Sequence, residues 1–77
     1  MKKASTKHLQ RLREMSGMTQ YEISRETGID RARVSEIENG RVVPRPEEVP
    51  AILKVIRAAH LKQQKKFEQL AAGAEAA

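Results

Sequence analysis

The chain has no cysteine and no tryptophan, and only one phenylalanine and one tyrosine. The missing thiols exclude a disulfide framework and a thiolate metal site, and they fit a reducing compartment. Because aromatics are so scarce, the core has to be built from Leu, Ile, Val, Met and Ala. Long apolar runs are absent too. Nothing approaches the roughly 20 residues that a membrane span needs. The opening "MKKASTKHLQ" carries two lysines with no apolar segment behind them, unlike a signal peptide. The two histidines, His8 and His60, have no acid at ligand spacing. Surface positions suit them better than a metal site, and no metal or other cofactor is expected. No nucleophile elbow, zinc-protease helix or phosphate loop occurs. Ser16, Ser24 and Ser35 have no evident histidine base, so no enzyme activity is expected. The location expected is the cytoplasm.

What the chain does have is positive charge, unevenly spread. Fifteen basic residues against ten acidic give a net charge of +5. Residues 1–13 hold five cations and no acid, residues 14–48 hold five cations and eight acids, and residues 49–77 hold five and two. Such a balance is consistent with a polyanion partner, although many small soluble domains carry it without one. With 77 residues the chain makes one small domain, which buries only about 60% of its unfolded surface.

Apolar periodicity predicts four helices. The first runs from Ser5 or Thr6 to Met15, capped by either hydroxyl, with Leu9, Leu12 and Met15 as its stripe and Ser16-Gly17 as its stop. The second opens at Thr19, where "TQYE" spells a capping box, and ends at Gly28, with Ile23 and Thr27 inward. Asp30 caps the third, which reaches Glu38 and anchors through Val34 and Ile37. Asn39-Gly40 closes it. "RVVPRPEEVP" is a loop, with Pro50 as the first residue of the fourth helix, since an interior proline costs about 3 kcal/mol or more. Val49, Ile52, Leu53, Ile56 and Ala59 form that helix's buried face. No Gly or Pro interrupts residues 51–72, so the helix can continue through "HLKQQKKFEQLAA", long or bent, before a frayed "AAGAEAA".

Two short helices joined by a glycine turn make a corner of the DNA-reading type. Ser24 is small enough to let them approach. Gln20, Ser24, Gly28, Val34 and Ile37, with "LREMSGMTQ" before them and "EIENG", a Pro-containing loop and an aliphatic helix after, resemble the phage-repressor and Cro-like helix-turn-helix family of the xenobiotic-response-element type. The resemblance covers about residues 7–59. Ser24 stands where the family usually has Ala, and Thr27 where it has an apolar residue. The resemblance implies an all-α, compact four- or five-helix lambda-repressor-like fold, here with the option of a long C-terminal helix. It implies a helix-turn-helix domain over residues 1–60 and a helical extension with a tail over 61–77.

Carried over residue by residue, the resemblance places Arg31, Ala32, Ser35 and Glu36 of the third helix against base edges in the major groove. Glu36 also has the options of pairing with Arg33 or pointing sideways. Gln20 corresponds to the family glutamine that bonds a phosphate and braces the recognition helix. Arg33, Asn39 and Arg41 are expected on phosphates. Lys7, Arg45 and the amino-terminal lysines Lys2 and Lys3 are weaker candidates. Arg13 and Glu38 resemble a partly buried structural ion pair. The alternative for Arg31 and Arg33 is an ordinary solvated helix face.

Family members usually dimerise on two half-sites about 34–36 Å apart. Ile56, Leu61, Phe67 and Leu70 are the candidate dimerisation element, unless Phe67 and Leu70 fold back on the chain's own core. The family commonly has a break and a fifth helix in this region, and this chain has no glycine there. Expected partners are therefore double-stranded DNA and a second copy of the chain. The function expected is that of a sequence-specific regulator, a repressor in the absence of any effector segment. An antitoxin that binds both operator DNA and a toxin, or an adaptor that binds protein and no DNA, are the alternatives.

Overall fold

The computed structural model describes residues 4–76; Lys2 and Lys3 lie outside them. Four helices follow one another: α1 (Ala4–Met15), α2 (Gln20–Thr27), α3 (Arg31–Glu38) and α4 (Glu48–Ala76). No strand occurs among the described residues, and the fold is all-α with a long C-terminal helix. Leu9 of α1, Ile23 of α2, Val34 and Ile37 of α3, and Ile52 and Ile56 of α4 meet in one aliphatic core. Four of these side chains have no exposure at all. Burying each one contributes about 1.5–3 kcal/mol.

The ends of the short helices follow from their chemistry. Thr19 and Glu22 satisfy each other's backbone N–H groups, which starts α2. The Asp30 carboxylate accepts from the Ala32 N–H at 3.1 Å and starts α3. Between them Gly28 has φ +79°, a left-handed backbone that a Cβ would strain. The Thr27 hydroxyl donates to the Ile23 carbonyl at 2.7 Å and accepts from the Ile29 N–H at 3.1 Å. A threonine therefore stitches the turn, where an apolar residue would only pack. After α3, Gly40 takes φ +71°; its N–H donates to the Ile37 carbonyl, and that of Arg41 to the Glu36 carbonyl. This paired closure fixes where the chain leaves the helix.

Three boundary or packing expectations need correction. Among the described residues helix α1 spans Ala4–Met15, so Ser5 and Thr6 lie within it and not at its start; Thr6 is buried. Leu12 and Met15 do not join Leu9 in the core, being 41% and 64% exposed. The reason is rotation: steps of three residues turn 300° on a helix, so Met15 ends about 120° away from Leu9. Helix α4 begins two residues before Pro50. Proline is tolerated there because N–H groups in a first turn have no intrahelical partner. The helix continues through Gly73 to Ala76.

Only the first half of α4 belongs to the globule. Residues 61–70 are all exposed, with Leu61, Phe67 and Leu70 at 54%, 70% and 69%. Phe67 and Leu70 do not fold back on the core.

Candidate nucleic-acid interface

Helix α3 divides its surface sharply. Val34, Ile37 and Glu38, spaced i, i+3 and i+4, are buried. Arg31, Ala32, Glu36 and Asn39 are exposed, and Ser35 is half-buried beside them. The outer face thus combines a guanidinium at the helix start, a methyl group, a hydroxyl, a carboxylate and an amide. The Asn39 amide donates to the Ser35 hydroxyl at 3.4 Å, which links the last two turns of that face. Arg41 is exposed just past the helix, and Lys7 and Arg45 are exposed on α1 and the loop.

Two buried carboxylates hold this face in place. Glu38 is 1% exposed and accepts three N–H groups. Arg13 reaches it through Nε at 2.7 Å and Nη2 at 3.1 Å, and Gln20 through Nε2 at 2.9 Å. The third arm of Arg13 donates through Nη1 to the Met18 carbonyl at 3.0 Å. One side chain thereby ties α1, α2, α3 and the α1–α2 turn together. Gln20 braces α3 through this carboxylate, and its second amide hydrogen is left for another acceptor.

The second carboxylate was not foreseen. Glu48, at the start of α4, accepts from Arg33 Nε and Nη2, both at 3.0 Å. It also accepts the Arg45 backbone N–H at 2.7 Å. Arg33 Nη2 reaches the Val43 carbonyl as well, at 3.5 Å. Helix geometry explains why Arg33 parts company with Arg31: two residues turn 200°, so the two guanidiniums leave α3 on opposite flanks. Arg33 therefore pairs with Glu48, and Glu36 stays exposed. The bonds from Arg33, then the Arg45 N–H, hold the Glu48 carboxyl down at about 2, against its burial. The same bond pushes the Arg33 pKa up. A signal for this was present in the sequence. Glu48 reaches back three residues to a loop N–H, as Glu22 does to Thr19.

Among the described residues no group of three or more His, Cys, Asp or Glu comes together, and no helix is long and apolar enough to cross a membrane. What the outer face of α3 offers is hydrogen-bonding side chains on a short rod, braced at both ends by ion pairs, with cations beyond its tip.

A family model described as a helix-turn-helix domain matches residues 7–65. The chain belongs to the helix-turn-helix domain family. The match takes in α1 apart from its first three residues, the whole of α2 and α3, and α4 as far as Lys65. No curated protein and no solved structure is significantly similar to the chain. A helix-turn-helix domain suggests a DNA-binding regulator, and the family is typically non-enzymatic.

Proposed function

We propose that this protein is a sequence-specific transcriptional regulator of the phage-repressor and Cro-like type. It binds double-stranded DNA as a homodimer and acts as a repressor in the cytoplasm. The observation that carries the reading is the division of α3: Val34, Ile37 and Glu38 are buried, while Arg31 and Ala32 are exposed and Ser35 is half-buried beside them. Arg31, at the helix start, suits bidentate bonding to guanine; Ala32 suits contact with a thymine methyl; Ser35 serves either a donor or an acceptor; and Glu36 accepts from cytosine. Arg41 and Asn39 at the far end, Gln20 with its spare amide hydrogen, and the exposed Lys7 and Arg45 reach phosphates. Arg33 keeps a phosphate role only through donors that Glu48 leaves unused, so its first task is to brace α3.

The domain that reads DNA is residues 1–60, and residues 61–77 form the extension through which copies associate. Supporting this division, residues 60–70 of α4 are all exposed. The test is a gel shift with duplex DNA over a salt series. Arg31→Ala should lower affinity for the preferred sequence by about 1–3 kcal/mol and relax one base position. Arg41→Ala should weaken all sequences alike and reduce the salt slope by about one unit. Equal losses on every sequence for both variants would refute the division between base and phosphate contacts. No retention of any duplex at low salt would favour the protein-binding adaptor. A non-identical protein that copurifies at fixed stoichiometry would favour the antitoxin.

A further inference from the structure

The free half of α4 is patterned. Leu53, His60, Gln64, Phe67, Ala71 and Ala74 follow one another at steps of seven, four, three, four and three residues. Such spacing keeps them along one side of the helix. The strip has two unlike halves. Toward the globule it lines a groove with Leu12 and Met15 of α1 and Ile56 and Leu61 of α4. Beyond Gln64 it is a bare ridge, led by Phe67 with Leu70 on its shoulder. The ridge is about 20 Å long at 1.5 Å per residue. Gln63 marks the junction: its Nε2 lies 2.8 Å from where a Cβ on Gly17 would stand, so α4 is still seated on the α1–α2 turn there.

We infer that the occupant of this strip is a second copy of the chain, bound antiparallel about a two-fold axis close to residues 62 and 63. A groove and a ridge in line on one helix are self-complementary under that operation alone: each ridge enters the other copy's groove. Charge agrees with shape. Arg57 and Glu68 lie on the same flank of the strip, eleven residues apart. The two-fold sets Arg57 of each copy opposite Glu68 of the other. A parallel pairing would instead place Arg57 beside Arg57 and Glu68 beside Glu68. The area is adequate as well. Phe67 alone offers on the order of 150 Å². The strip with Leu12, Met15, Leu61 and Leu70 approaches the roughly 800 Å² per partner that a stable dimer buries.

The arrangement bears on the proposed DNA reading and, for this consequence only, rests on it. From the axis to the start of α4, where Arg33 ties α3 to Glu48, is about 14 residues or 21 Å. Two recognition helices then stand on the order of 40 Å apart, comparable with one turn of duplex at roughly 34–36 Å.

The chain has no cysteine, so single introduced thiols report the geometry cleanly. Gln64→Cys, near the axis, should oxidise to a covalent dimer, whereas Ala74→Cys, about 35 Å from its mate in this arrangement, should not. Phe67→Glu, at an exposed position that leaves the core alone, should raise the dissociation constant at least 100-fold in sedimentation equilibrium. A monomer at every concentration, crosslinking of Ala74→Cys as readily as Gln64→Cys, or an unchanged dimer in Phe67→Glu would overturn the inference. These readings use no DNA. A monomer that still retains duplex sinks the dimer and spares the DNA reading; a dimer that retains none does the reverse.

Discussion

Replacing Glu38 by Leu removes the acceptor on which α1, α2 and α3 converge. Three N–H donors lose their partner at once: two from Arg13 and one from Gln20. The Arg13 side chain is only 11% exposed, so its charge is left nearly dry. Stranding one partner of a buried pair costs about 3–5 kcal/mol. A chain of this size has a net stability of roughly 4–12 kcal/mol. The substitution therefore consumes much of it, and at about 4–8 °C per kcal/mol the melting temperature should fall by 12 °C or more. Urea and thermal unfolding followed by circular dichroism at 222 nm would measure it. The double variant Arg13→Met with Glu38→Leu tests the cause, because removing both charges should restore most of the loss. A cost below about 1 kcal/mol for Glu38→Leu alone, or a double variant no better than the single, would refute the claim that an uncompensated charge sets the penalty.

Two further outcomes follow from the bracing of α3. Glu48→Gln should lower stability, and the deficit should depend on pH. Because the folded carboxyl titrates at about 2 against an ordinary 4.5, its contribution is full above about pH 4.5 and vanishes as pH falls toward 2. Chemical unfolding of both proteins across that range should show the two curves converging at the acid end, and a constant gap would contradict this origin. Gly28→Ala should destabilise by about 1–2 kcal/mol. No atom lies within 4 Å of the added methyl, so backbone strain alone is measured, and a neutral result in urea unfolding would mean that the turn relaxes freely.

Local chemistry was legible where few residues decide the outcome. Thr19 with Glu22, Asp30, and the glycine at position 28 each satisfy a backbone demand that neighbours cannot alter, and the helices begin and turn there. The inner stripe of α3 could be read because a buried helix face has only one way to repeat. Position in space was harder. Leu12 and Met15 have apolar spacing, but no period of three says which way α1 will roll, and the helix turned them toward the groove beside α4. Arg33 looked like its neighbour Arg31 because both are arginines on a short helix. Its partner, Glu48, lies across a Pro-rich loop whose path no local pattern predicts. With Pro50 read as the first residue of α4, Glu48 falls in the loop, and neither its place at the helix start nor its role as a clamp is visible.

The central claim is that the outer face of α3 reads base sequence. Selection of bound duplexes from a random pool by the wild-type protein and by Arg31→Ala tests it most directly. The account predicts that the wild type enriches a motif with a guanine in each half-site, and that Arg31→Ala loses preference at that base while the other positions persist. A pool left unenriched by the wild type, or the same motif recovered by both proteins, would contradict it.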